Sequence, residues 1–274
     1  MKTIIVATDF SPSSLNAANY AADMALFIHA DILLLHVCQL PISYSEIPVP
    51  IDVEDAEVDI ERALNEIKSQ LVKKTNGKLR VRTNVKLGVF FYQELRTVCR
   101  STNPYAVVMG SQGTSASERL FFGGHTVHAV KHLKWPIITV PPGVTFSPIK
   151  KIGFASDFSD VLKTTPLDEI MALVNDFDAE LHILHTESDL ESNPNADFES
   201  RLLAEMLEPL KPKYHIIANK NADDGIINFA EKNKIDLLIV LPKMHDLLDS
   251  FLHKSHSKQM VLRSHVPVMA LHQQ

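Results

Sequence analysis

The chain repeats itself, and this repeat is the strongest limit on the folds it can adopt. An apolar run at Ile4–Ser11 ends in Thr-Asp-Phe-Ser, and a similar run at Ile152–Ser159 ends in Ser-Asp-Phe-Ser. In each case a helical stretch follows, and then an apolar strand that ends in histidine, Leu33–His36 in one half and His182–His185 in the other. A repeat that keeps this order predicts a duplicated module.

The repeat continues to the end of each half and places the boundary between the modules. Two further pairs of segments correspond at a constant spacing: Tyr105–Gly110 with Asp236–Leu241, and Trp135–Ile137 with Val266–Val268. The Pro-Pro-Gly stretch Pro141–Gly143 cannot continue a strand or a helix. The sequence therefore predicts one domain over 1–145 and a second over 146–274, with the boundary near 145–148.

Short apolar strands alternate with helices within each half, which predicts an α/β fold with a doubly wound, five-stranded parallel sheet in each module and helices on both faces. Such a fold is Rossmann-like. The predicted strands are 2–8, 31–37, 79–86, 105–109 and 136–140, then 150–155, 180–186, 213–218, 235–240 and 267–271. The predicted helices of the first half are 12–29, 53–75, 90–101 and 124–133, the first of them capped by Ser11 with Pro12 in its first turn.

Ligands of an open parallel sheet bind beyond the carboxyl ends of its strands, where the strand order reverses. If the first and fourth strands are neighbours, the loop that begins at Thr8 and Asp9 meets the loop that begins at Gly110 and Ser111. Four of the nine glycines lie in the second loop. Glycine allows a positive φ and a close approach of a ligand to the backbone, so the loop is suited to bind an anion.

The second loop leads into the predicted helix at 124–133, whose amino terminus favours phosphate. A plainer interpretation is that the glycines end a strand and start a helix. Asp9 also has an alternative role, because acidic residues cap helices. Asp157 occupies the matching position in the second half, where the glycine loop is missing, so the structural role stays open beside a binding role for Asp9.

These residues resemble the universal stress protein family, whose phosphate motif is Gly-x2-Gly-x9-Gly followed by Ser or Thr. Gly110, Gly113 and Gly123 match its glycines. Gly124 departs from it, while Thr126 matches a further hydroxyl position, and the resemblance implies that Asp9 contacts adenine. The predicted nucleotide-binding residues are Ala7, Thr8, Asp9, Val37, Gly110, Ser111, Gly113, Gly123, Gly124, His125 and Thr126.

The second half has lost this motif. Leu241, Met244 and Lys254 replace the three glycines, although Ser255 and Ser257 keep the hydroxyl positions. Bulky side chains fill the space that phosphates need, and a non-glycine residue in a left-handed conformation costs about 1–2 kcal/mol. The second domain is therefore predicted not to bind ATP in the family manner.

The resemblance implies an ATP-binding stress-response protein, with or without Mg²⁺, in which nucleotide occupancy biases conformation or partner binding. A nucleotide-independent interaction scaffold and a weak ATPase are the alternatives. No catalytic base stands out in the sequence, so any ATP hydrolysis is expected to be slow. The apolar last strands at 136–140 and 267–271 are predicted to pair with each other, and two chains could associate further as a homodimer.

Charge and composition exclude several other classes. A net charge of −6 argues against a generally basic nucleic-acid surface, and no apolar run is long enough for a membrane helix. Cys38 and Cys99 lack metal-ligand spacing and are expected to be reduced thiols of a cytoplasmic protein. His253 and His256 could face one metal ion, but surface or packing roles are commoner, and no metal ligand is predicted.

Overall fold

The computed structural model describes residues 1–39, 53–111, 124–187, 193–219, 221–242 and 256–272. The first module alternates strands and helices in the predicted order. Its strands are β1 (Lys2–Ala7), β2 (Ala30–Gln39), β3 (Val81–Gly88), β4 (Ala106–Gly110) and β5 (Ile137–Val140). Its helices are α1 (Pro12–Phe27), α2 (Val53–Lys74), α3 (Phe91–Thr102) and α4 (Gly124–His132).

The second module repeats this order with shorter elements. Its strands are β6 (Lys151–Ala155), β7 (Glu180–Thr186), β8 (Lys213–Ile217), β9 (Leu237–Val240) and β10 (Val268–Ala270). Its helices are α5 (Val161–Thr164), α6 (Leu167–Phe177), α7 (Ala196–Leu207), α8 (Ala222–Lys232) and α9 (His256–Arg263), with a 3-10 turn at Glu208–Leu210. The single helix α1 of the first module corresponds to the pair α5 and α6, because Pro166 interrupts the helix there.

The strand order is β3-β2-β1-β4-β5-β10-β9-β6-β7-β8. All pairs within a module are parallel, as the sequence predicted, and the α/β fold is confirmed. The last strands of the two five-stranded sheets lie next to each other. In the structure β5 lies antiparallel to β10, so the modules share one ten-stranded sheet.

The contact between β5 and β10 has local two-fold symmetry. Ile138 pairs with Met269, and these residues occupy equivalent positions in the sequence repeat. A two-fold axis therefore passes between them, as expected where the same surface of two similar modules meets itself. The hydroxyl of Thr139 donates a hydrogen bond of 3.2 Å to the carbonyl of Val268 across this junction.

Two hydrophobic cores lie on opposite faces of the sheet, and each extends through both modules. Alternate residues of β1 divide between them, with Ile4 and Val6 on one face and Ile5 and Ala7 on the other. Helices α1, α2, α6 and α7 cover the first face, whereas α3, α4, α8 and α9 cover the second. Among the residues with described positions, no helix combines the length and hydrophobicity that a membrane crossing requires.

The segment between the modules packs against α1. The side-chain amide of Asn16 donates hydrogen bonds of 3.1 Å to the carbonyls of both Pro141 and Val144. The ring of Phe146 lies edge-on to that of Tyr20, with 5.4 Å between their centroids. The connection is thus held against the first module, while the exact boundary at 145–146 stays a prediction.

Candidate functional site

The carboxyl ends of β1 and β4 lie side by side, as the sequence predicted. Val6 pairs with Val108 in parallel register, so the loops that follow the two strands start at the same edge of the sheet. Thr8 and Asp9 begin one loop, and Gly110 ends β4 directly beside it. When two neighbouring parallel strands lead into loops on opposite faces of the sheet, a crevice forms at this edge. Ligands of α/β proteins bind in such a crevice.

Hydrogen bonds fix the loop that follows β1. The hydroxyl oxygens of Thr8 and Ser14 are 2.9 Å apart, and Thr8 also accepts the N–H of Phe10 at 3.1 Å. The Asp9 carboxylate accepts the N–H of Ser11 at 3.0 Å, which closes a tight turn. Ser11 in turn accepts the N–H of Ser14 at 3.1 Å, so the predicted cap of α1 is confirmed.

The Asp9 side chain is the exposed member of this loop. Partial burial alone would raise the pKa of its carboxyl. Hydrogen bonds from the Ser11 and Ser14 side chains and from the Ser11 N–H outweigh burial, so the pKa of Asp9 lies below its ordinary value. Asp9 is therefore a carboxylate at neutral pH and can accept a hydrogen bond at the rim of the crevice.

An aromatic pair forms the wall next to Asp9. Phe10 has a left-handed backbone, with a φ of 64°, and its ring stacks on His36 with 4.6 Å between the centroids. The Nδ1 atom of His36 lies 2.8 Å from the carbonyl oxygen of Thr8. His36 therefore makes a hydrogen bond near the end of β2, and it also supports the Phe10 ring. Sequence reasoning missed Phe10, although its repetition in both modules was visible.

The second module builds the same turn. The carboxylate of Asp157 accepts the N–H of Ser159 at 3.1 Å, and Phe158 has a φ of 52°. The Phe158 ring packs on His185 at 4.7 Å, as Phe10 does on His36. Because both modules contain this arrangement, the Asp-Phe-Ser sequence forms a structural turn, whatever else Asp9 contacts.

Gly110 is required for close packing rather than for a positive φ. A Cβ atom placed on it would lie 2.4 Å from the Oγ of Ser13 and 2.9 Å from the Ser13 carbonyl carbon. Positive φ occurs instead at Gly77 and Gly143 among the described glycines, neither of which belongs to the crevice. The missing side chain of Gly110 thus lets the first turn of α1 approach the end of β4.

The amino terminus of α4 faces the same crevice. The hydroxyl of Thr126 donates a long hydrogen bond of 3.4 Å to the carbonyl of Gly110, and the Ser111 N–H bonds to Val140 at 3.0 Å. Burial and the neighbouring His128 lower the pKa of His125, while the nearby charge of Asp9 opposes them. The fold therefore brings His125, Thr126 and Gly110 to the edge that carries Asp9.

The remaining predicted residues divide into two groups. Ala7, Thr8 and Val37 are buried at the ends of β1 and β2, and Gly124 starts α4. Gly113 and Gly123 lie outside the described residues, as do Met244, Lys254 and Ser255 of the second module. No group of three or more histidine, cysteine or acidic side chains in the described ranges could hold a metal ion.

The second module has different residues at the corresponding loop. Leu241 stands in place of Gly110 and packs against the first core. The amide of Asn193 donates to the Phe158 carbonyl at 2.7 Å, and the Glu199 carboxylate accepts the N–H of Val161 at 2.9 Å. Neither contact was predicted, because Asn193 and Glu199 are distant in sequence from the loop that they bind.

The universal stress protein family model matches the chain twice, over residues 1–141 and 148–272. The chain belongs to the universal stress protein family. A universal stress protein from Archaeoglobus fulgidus is 20% identical, with a TM-score of 0.73, over 99% of this chain and 96% of that one. A putative universal stress protein from Pseudomonas aeruginosa is 15% identical, with a TM-score of 0.60, over 99% of this chain and 93% of that one.

A shorter member of the family matches about one module. A universal stress protein family protein from Arabidopsis thaliana, solved with AMP bound, is 19% identical over 53% of this chain and 94% of that one, with a TM-score of 0.37. A search of curated proteins gave no match to the sequence. The full-length likenesses agree with a tandem arrangement of two universal stress protein modules.

Proposed function

We propose that this universal stress protein binds an adenine nucleotide, ATP with or without Mg²⁺, in its first module and not in its second. The observation that carries the proposal is the meeting of three elements at one sheet edge: the Asp9 turn, the Gly110 end of β4 and the amino terminus of α4. A helix amino terminus beside glycine backbone favours the binding of phosphate. A carboxylate at the rim can accept a hydrogen bond from the amino group of adenine.

The polar groups at this edge suit such a ligand. Ser111 carries a hydroxyl that can donate to a phosphate oxygen, and the Thr126 hydroxyl can do so by giving up its long bond to Gly110. His125 stands in the first turn of α4. A hydrogen bond to a charged group contributes about 1.5–3 kcal/mol. Several such bonds from 111–126 are enough to support a micromolar dissociation constant, which corresponds to about −8 kcal/mol.

The role that we propose is regulatory. Occupancy of the first module would favour one conformation or one partner, since a ligand shifts an equilibrium by its differential affinity for the two states. The β5–β10 pairing supports an internal pseudo-dimer, and further association of two chains belongs to the same proposal. A cytoplasmic location fits the free thiols of Cys38 and Cys99.

The decisive experiment is to purify the protein, denature it and identify the released nucleotide by mass spectrometry. We expect adenine nucleotide at no more than one molecule per chain. Gly113→Val should abolish retention and leave the far-UV circular dichroism unchanged, because Gly113 matches a glycine of the family's phosphate motif. A protein that folds normally and neither retains nor rebinds adenine nucleotide would instead favour the interaction scaffold.

The matched residues Asp9 and Asp157 separate the structural role of the turn from ligand binding. Each accepts one serine N–H, at 3.0 Å and 3.1 Å. We expect Asp9→Ala and Asp157→Ala to lower the free energy of unfolding by similar amounts, about 0.5–2 kcal/mol. Only Asp9→Ala should also weaken ATP binding, as measured by isothermal titration calorimetry. Equal ATP affinity in the two variants would remove Asp9 from the proposed site.

Weak ATPase activity is the second candidate, and the structure offers it little support. His125, which lies close enough to Asp9 to feel its charge, has a pKa lowered mainly by burial but no hydrogen-bonded orienting partner among the described residues. Steady ATP turnover that disappears in Gly113→Val would establish this activity. We expect ATP turnover no faster than the slow hydrolysis of ATP that is bound without a catalytic base.

A further inference from the structure

Helix α4 carries three histidines on one side. His125, His128 and His132 are spaced by three and four residues, so they lie one above another on the helix surface. All three side chains are exposed. The rings of His128 and His132 are neighbours, with 4.5 Å between their centroids and 44° between their planes.

A tyrosine of α3 holds these two rings in place. The Tyr92 ring lies edge-on to His128 at 4.8 Å and also contacts His132 at 6.5 Å. Its hydroxyl donates a hydrogen bond of 2.9 Å to the backbone carbonyl of His132, which ties α3 to the end of α4. Within the described ranges, no hydrogen bond or ion pair uses an imidazole nitrogen of either histidine.

We propose that His128 and His132 form a two-histidine binding site for a divalent transition-metal ion on the outer surface of α4. Histidines four residues apart on a helix can bind one zinc ion from the same face. Two imidazole nitrogens about 2.0–2.1 Å from an ion lie roughly 3 Å apart. Side-chain rotation can bring rings at the observed separation to that spacing.

The chemistry of the ligands selects the ion. Imidazole suits Zn²⁺, Ni²⁺ and Cu²⁺, whereas Mg²⁺ and Ca²⁺ require oxygen ligands. Because no third histidine, cysteine or acidic group converges with this pair among the described residues, water would complete the coordination. The site is therefore expected to be open and exchangeable rather than structural.

Burial and nearby cationic groups favour the neutral imidazole of His132. Burial lowers the pKa of His132, and His128 and Lys131 add to the shift. The phenol of Tyr92, His272 two residues beyond β10, and His125 one turn earlier on α4 also lie near the pair, and burial lowers the pKa of both of these histidines. Metal ligation requires deprotonated histidine, so binding should weaken as the pH falls below the ordinary histidine range.

The test is calorimetric titration of the untagged, nucleotide-free, full-length protein with NiCl₂ and, separately, ZnCl₂. We expect binding that weakens by about tenfold or more in His128→Asn and in His132→Asn. The double variant should be no weaker than either single variant, because removal of one ligand already destroys the chelate. Circular dichroism checks that each variant is folded, and the exposed His265→Asn serves as the matched control.

Electron paramagnetic resonance with Cu²⁺ supplies a second readout, in which two coordinated nitrogens are expected and at most one in each single variant. The proposal is overturned if the wild-type protein binds no ion, or if its isotherm is unchanged by both single substitutions. The latter result would place the metal on other histidines. Because nucleotide is absent, the outcome is independent of whether the first module binds ATP.

Discussion

Phe177→Ala is expected to lower the free energy of unfolding of both modules together, by about 3–5 kcal/mol. Phe177 ends α6 of the second module and is fully buried. Its ring stacks on Phe27 at the end of α1 in the first module, with 5.6 Å between the centroids and 14° between the planes. The substitution thus removes a large aromatic group from a core that the two modules share.

This contact belongs to an aromatic row that links the modules. Phe27 also contacts Phe146 of the connecting segment at 6.0 Å, and Phe146 contacts Tyr20 at 5.4 Å. An ion pair between Lys2 and Asp176 lies on the same side of the sheet. Because it is partly exposed, that ion pair is expected to contribute little beside the aromatic packing.

The single tryptophan makes the measurement specific. Trp135 lies in the first module, where its indole N–H donates to Asn103 at 3.0 Å, so its fluorescence reports on that module. Urea unfolding of Phe177→Ala should shift the fluorescence transition and the far-UV circular dichroism transition to the same lower midpoint. Phe198→Ala, at a site 61% exposed, is the control and should change stability by at most about 0.5 kcal/mol. An unchanged Trp135 transition in Phe177→Ala would mean that the modules unfold independently.

Gly110→Ala is expected to destabilise the first module by about 1–3 kcal/mol and, if the proposed function holds, to weaken nucleotide binding there. The new methyl group would meet both the Oγ and the backbone of Ser13, so the first turn of α1 must move away from β4. That turn also carries the hydrogen bonds of Ser11 and Ser14 that orient Asp9. A single methyl group would therefore disturb stability and the crevice at once.

Ser13→Ala gives a direct test of this explanation. In the Gly110→Ala background it removes the 2.4 Å contact but leaves the 2.9 Å contact with the backbone, so it should restore part of the lost stability. A double-mutant cycle from urea unfolding, with nucleotide retention measured in parallel, would show the coupling. Strict additivity of the two substitutions would contradict it. Leu241→Ala provides the control in the second module, where a smaller side chain should cost stability without creating nucleotide binding.

The comparison of positions 110 and 241 shows how the two modules have diverged. In the first module, the absence of a side chain at Gly110 allows α1 to pack closely against β4. In the second, the equivalent residue is leucine, α5 is only one turn long and Glu199 occupies the backbone N–H of Val161. The glycine loop and the helix that follows β6 thus both differ from their counterparts in the first module.

Much of the architecture follows from the sequence, because strands and helices depend on local periodicity and on nearby capping groups. The repeat predicted two α/β modules, the order of the elements, and Ser11 and Pro12 at the start of α1. It also brought Asp9 and Gly110 to one sheet edge, since parallel strands place their carboxyl ends together. The glycine motif and the turn sequence were sufficient to predict the family.

Tertiary structure decided the features that join residues distant in the chain. The sequence alone could not reveal that Ser13 requires glycine at 110, that Asn193 and Glu199 bind the segment after β6, or that Phe27 stacks on Phe177. It predicted that the last strands pair, but only the structure gives the antiparallel register of β5 and β10 and the two continuous cores. Such contacts depend on how whole helices and strands pack in three dimensions, and local sequence patterns do not specify that packing.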